Sequence, residues 1–174
     1  NTFSSEAPLL LSAYAGLQDW DGVFFFQYGN GAHDWNRGYF GTHFDMDQHP
    51  NKMANALIGS LMFLREDVAP AEDEYTLLFN PEREHEIVST LGTSWNIANG
   101  QLAGFDNATP LISRVSLSVG ASATGLTEAP AAPSGSVPFA SDTGELVWDL
   151  RNSSAGVVSV DTPSTKAIIG YTDG

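Results

Sequence analysis

The sequence predicts an α+β protein: a βα-type portion over residues 1–70 followed by an antiparallel β-sandwich over residues 71–174. Three observations carry this. Residues 6–28 read as an amphipathic helix and then an apolar run without polar alternation. A long glycine-rich loop then leads into a second amphipathic helix. Beyond residue 70 helical periodicity largely gives way to short β-branched and apolar runs set between turn signals.

The first helix is expected over about residues 6 to 18. Ser4 and Ser5 offer an N-cap, Glu6 and Pro8 suit a first turn, and Leu9, Leu10, Leu11, Tyr14 and Leu17 follow. Asp19-Trp20-Asp21-Gly22 ends it. Gly22-Val-Phe-Phe-Phe-Gln-Tyr28 has no polar residue before Gln27, the pattern of a strand buried on both faces and hence parallel. Residues 29–42 mix glycines with Asn, His, Asp, Arg and aromatic residues, as a functional loop does. Asp47 to Pro50 opens the second helix, whose Met53, Leu57, Leu61 and Leu64 share one face, widened by Ala54, Ile58 and Met62. That face is expected to cover something apolar. Strands are expected at Glu74–Phe79, Leu111–Val119, Glu145–Trp148, Gly156–Asp161 and Ala167–Tyr171, with a short helix near Glu82–Leu91. The Ala-, Pro-, Ser- and Gly-rich stretch 121–136 reads as a long connection between strands.

With 42% hydrophobic residues the chain has the material for a core. Seven Lys and Arg against 21 Asp and Glu give a formal charge of -14, which argues against nucleic acid and anionic membranes as partners. The absence of cysteine removes disulfides, thiolate nucleophiles and cysteine-bound zinc. The apolar runs Pro8–Leu11 and Val23–Phe26 are too short to span a bilayer, and no basic segment precedes an apolar one at the start. The first residue is Asn1 rather than Met, so a processed or cut chain is expected.

A parallel strand in such a fold delivers its carboxyl end to the functional face, which makes Gln27, Tyr28, His33, Asp34 and Trp35 the candidate substrate-binding residues. Rings beside amide, hydroxyl and carboxylate groups suit a sugar, with its apolar C–H face and rim of hydroxyls. Asp19 and Asp21, and likewise Asp45 and Asp47, form D-x-D pairs able to hold calcium or magnesium, although helix caps and turns use the same residues. His33, His43, His49 and His85 are not spaced as a zinc site, so neither metal nor cofactor is expected. There is no G-x-S-x-G nucleophile elbow and no dinucleotide fingerprint. Glu6, Asp34 and Asp45 are possible carboxylates for glycoside hydrolysis, which needs a pair about 5 to 9 Å apart, and the pair stays unassigned.

Residues 6–26, from Glu6-Ala-Pro-Leu-Leu-Leu to Gly-Val-Phe-Phe-Phe, resemble the end of the barrel in bacterial glycoside hydrolases of the large retaining (β/α)8 clan, which includes cellulase-like and β-galactosidase-like enzymes. Phe44-Asp-Met-Asp-Gln-His-Pro-Asn-Lys through Phe63-Leu-Arg-Glu-Asp-Val is similar to the closing helix of such barrels. Ser141-Asp-Thr-Gly-Glu-Leu-Val-Trp-Asp and Val160-Asp-Thr-Pro-Ser-Thr-Lys-Ala-Ile-Ile-Gly resemble strands of an appended sandwich. The resemblance implies that residues 22–28 are the eighth barrel strand. The clan's nucleophile, at the end of strand seven, and its acid/base, after strand four, then fall upstream of Asn1. Neither catalytic glutamate has a matching position in this chain.

The expected function is therefore the carboxy-terminal portion of a glycoside hydrolase acting on a polysaccharide or oligosaccharide. Its partners would be carbohydrate and either an amino-terminal polypeptide of the same enzyme or a second copy. The alternatives are a non-catalytic carbohydrate-binding module and a structural interaction domain. An extracellular or periplasmic location goes with the resemblance; the acidic composition fits it and fits an acidic cytoplasmic protein equally.

Overall fold

The computed structural model describes residues 5–29, 36, 38–39, 41–42, 44–91, 108–120, 125–126, 138–151 and 156–170. It is a mixed α+β chain with two small sheets. Helix α1 spans Ala7–Leu17, with Pro8 in its first turn, where a missing N–H costs nothing. Its N-cap is Glu6, which makes no side-chain capping bond. Helix α2 spans Pro50–Leu64. Its cap is His49, whose Nδ1 accepts from the Lys52 N–H at 3.3 Å, and Pro50 stands in its first turn. Asp19 and Glu66, with φ of 57° and 53°, end the two helices in the left-handed region.

The helices pack closely where Gly59 of α2 meets α1: a Cβ at Gly59 would sit 2.7 Å from both Pro8 O and Ser12 Oγ. Lys52, Gly59 and Met62 are buried on that side. This corrects the expectation for α2. The Met53, Leu57, Leu61 and Leu64 stripe covers nothing among the described residues; it faces outward, with Leu57 65% and Leu64 77% exposed. The small residue at position 59 selects the contacting face, because only there can the backbones approach.

A second correction concerns residues 22–28. They are not a buried parallel strand: no sheet includes them, and Phe24 is 95% exposed, with Phe25, Phe26 and Tyr28 exposed as well. A strand buried on both faces needs ladder partners on both edges. The described strands all pair elsewhere.

Strand β1 (Glu74–Phe79) leads through helix α3 (Pro81–Leu91) and the short helix α4 (Thr109–Ile112) to β2 (Arg114–Val119). β1 and β2 pair in parallel from Glu74↔Arg114 to Phe79↔Val119. β3 (Gly125–Leu126) adds an antiparallel edge, giving the order β2-β1-β3. This sheet departs from the all-antiparallel arrangement expected for residues 71–174, because α3 lies in the connection and returns the chain to the starting end. The second sheet is an antiparallel meander of β4 (Phe139–Ala140), β5 (Leu146–Asp149), β6 (Val157–Asp161) and β7 (Lys166–Gly170), in that order. Apart from β3, the 121–136 connection lies outside the described residues.

One apolar cluster joins the helices to the meander: Ala13 and Leu17 of α1, Met62 of α2, Val68 and Ala71, and Leu146, Val158, Val160 and Ile169 of β5 to β7. It draws on residues from both sides of position 70. Alternation sets the face, since Val158 and Val160 point inward while Ile168, beside the buried Ile169, points out. Each fully buried Leu or Val contributes about 1.5–3 kcal/mol relative to exposure. The connector after α2 is fastened by carboxylates. Ala69 N–H donates to Glu145 at 2.7 Å, Asp73 N–H to Asp142 at 2.9 Å, and Thr165 Oγ1 to Asp67 at 2.5 Å.

Candidate functional site

The extended segment starts near the carboxyl end of α2 and finishes near its amino end. Trp20 and Asp21 line a cleft with Met62, Phe63 and Leu64 at the carboxyl end of α2. Gln27 and Tyr28 meet residues 45–47 just before its amino end, through hydrogen bonds from Gln27 to Asp45 and from the Met46 and Asp47 N–H groups to Tyr28 O, the latter two both 2.9 Å. A helix of 15 residues is roughly 22 Å long at 1.5 Å per residue, about the reach of seven extended residues. The result is an extended segment and a returning helix, with Gln27 and Tyr28 at the end that meets residues 45–47.

Asp45 is the centre of this end and is 1% exposed. Its Oδ2 accepts from the Thr42 N–H at 3.0 Å; its Oδ1 accepts from Thr42 Oγ1 at 2.9 Å and from Gln27 Nε2 at 3.2 Å. The buried Lys52 ammonium approaches the Asp45 carbonyl at 3.4 Å. A buried carboxylate needs such donors to remain in place. Because Gln27 and Thr42 lie on either side of residues 29–41, Asp45 ties together the two positions that flank them. Beside this clasp Phe26 and Phe44 meet edge to face at 5.5 Å, both exposed to solvent. The peptide bond between Phe26 and Gln27 is cis.

Of the predicted binding residues, Gln27 and Tyr28 stand at this end, while His33, Asp34 and Trp35 lie outside the described residues, as does His43. Asp45 works as a clasp and His49 as a helix cap. Asp19 pairs with Arg114, whose guanidinium also reaches Glu74 at 2.7 Å. Hydrogen bonds from Ser116 and then Arg114 lower the Glu74 pKa. Among the described residues no three His, Asp or Glu side chains gather as a metal site. The described helices include none long and apolar enough to cross a membrane.

Sequence reasoning missed the buried Gln18. Its Nε2 donates to Pro110 O and Ser113 O, both at 2.8 Å, and its Oε1 accepts from the Val115 N–H at 2.9 Å, joining α1 to β2. No sequence pattern marks a glutamine just past a helix end as such a link. No family model, curated protein or solved structure matches this chain.

Proposed function

We propose that this chain is the carboxy-terminal portion of a retaining (β/α)8 glycoside hydrolase, whose segment 22–28, in no sheet of this chain, would pair as the last barrel strand only beside a preceding polypeptide, and which supplies part of the substrate cleft and a stabilising β-domain. The observation that supports the reading is the course of segment 20–28, from near the carboxyl end of α2 to near its amino end, with aromatic side chains and the outward α2 stripe both uncovered. A βα unit of a barrel has this course, and its neighbours would cover those two surfaces. Gln27 and Tyr28 would then stand at the end of the unit where barrel active sites are built, and His33, Asp34 and Trp35 follow in the sequence. The catalytic glutamates belong to a preceding polypeptide, and export to the periplasm or outside the cell goes with the reading.

The test is intact mass and a denaturing gel on the purified protein, followed by an aryl β-glycoside assay. The expected result is a larger polypeptide at equal stoichiometry, with hydrolysis by the pair and none by this chain alone. Isolation without a partner, and without affinity for any glycan, overturns the proposal. The exposed Trp20, Phe24, Phe26, Tyr28 and Tyr39 favour one second reading, a non-catalytic carbohydrate-binding module, because exposed rings grip sugar faces without a partner. Glycan binding by the chain with no hydrolysis even when paired would favour it.

A further inference from the structure

Gln27 carries one donor group and one acceptor group on the same amide, and the structure commits only one of them. Its Nε2 donates to Asp45 Oδ1 at 3.2 Å. Both Asp45 oxygens take donors, from Thr42 and from Gln27 Nε2, so the amide is held with nitrogen toward Asp45 and Oε1 away from it. Gln27 Oε1 has no partner among the described residues and is not one of the buried side-chain atoms left sealed without a hydrogen bond. Asp45 itself cannot turn, since both of its oxygens take donors from Thr42.

We infer that Asp45 is a positioning residue that fixes the Gln27 amide with its carbonyl oxygen presented as an acceptor for a hydroxyl group of a neutral sugar. The sugar half of this rests on the cleft reading proposed above; the orientation half does not. The geometry makes Asp45→Asn a reversal rather than a deletion. In that variant the one remaining side-chain oxygen takes the Thr42 N–H, and the new amide nitrogen occupies the other oxygen's place and donates to Thr42 Oγ1. It can also donate to Gln27 only if the Gln27 amide flips, which sends the Gln27 NH2 group outward.

The experiment is heteronuclear NMR on the full isotope-labelled chain, following the Gln27 side-chain amide protons in the native protein and in Asp45→Asn, with Gln27→Leu to assign them. The native amide should show one proton slowed in solvent exchange relative to the other, and Asp45→Asn, where it folds, should expose both. Titration with hexasaccharides of β-glucan, mannan, xylan and galactan follows. At least one should shift the Gln27 signals, and its affinity should fall about tenfold in Gln27→Leu, the value of one neutral hydrogen bond. Equal, fast exchange of both protons in the native chain overturns the orientation, even if Asp45→Asn fails to fold. Unchanged exchange in a folded Asp45→Asn overturns it too, whether or not a sugar binds. A reversed amide with no response to any sugar leaves Asp45 as a structural clasp and overturns the ligand half of the inference, while the cleft reading stands or falls separately on whether a larger polypeptide accompanies the chain and the pair hydrolyses a glycoside.

Discussion

Two residues separate a satisfied polar group from an unsatisfied one. Gln18 uses its amide fully on three backbone partners between α1 and β2. Gln18→Ala leaves the Val115 N–H and two carbonyls without that partner, and a cost of about 2–3 kcal/mol is expected from the shift of the urea midpoint. The Tyr14 hydroxyl is the opposite case: it is buried with no hydrogen-bond partner among the described residues, and burial pushes its pKa up to about 12. Because the folded state holds this proton more tightly than the unfolded chain, the contribution is intact below about pH 10 and is lost as pH rises from there through about 12. Tyr14→Phe removes the unsatisfied group. We expect equal or greater stability at pH 7 and a smaller alkaline loss, read by thermal melts at pH 7 and pH 11. A midpoint that drops at pH 7 would show that the hydroxyl has a partner.

At the scale of elements, α1, α2, β1, β2 and β5 to β7 were legible because each carries a run of apolar residues between breakers, whereas α3 offers only Ile87, Val88 and Leu91 after an acidic first turn. The two-residue β3 and β4 are too short to carry one. Periodicity also named the apolar stripe of α2 but could not tell which face meets α1, since that depends on the lack of a side chain at Gly59. Gly59→Ala separates these effects. Helix propensity alone would gain about 1 kcal/mol, but a methyl group 2.7 Å from the Pro8 carbonyl oxygen forces backbone apart and costs about 1–3 kcal/mol. A net loss is expected in a denaturant titration; a net gain would mean that the helices do not cross there. The site was legible in part for the same reason: a run ending in Gln27 and Tyr28 marks where the segment finishes, while the clasp by Asp45 from 18 residues on depends on the two positions meeting.

For the whole molecule, two tendencies of unequal range oppose each other. The outward stripe of α2 and the exposed phenylalanines of the extended segment form apolar surface of the kind that drives association. Against this stands a formal charge of -14, which makes copies repel. The attraction acts only at contact and is insensitive to moderate salt, whereas the repulsion reaches about 30 Å at 0.01 M ionic strength and only about 8 Å at 0.15 M. Salt therefore decides which wins. The weight-average mass from sedimentation equilibrium should be that of a monomer in low salt and should rise as ionic strength increases. Leu57→Glu combined with Leu61→Glu should stay monomeric throughout, because both residues lie on the exposed face of α2 and neither belongs to the buried cluster. A larger polypeptide that covers this face should suppress the salt-driven association of the native chain and should fail to join the double variant. A native chain that remains monomeric across the whole salt range would mean that the uncovered surface is not adhesive, and the reading of this chain as part of a larger barrel would lose its main physical support.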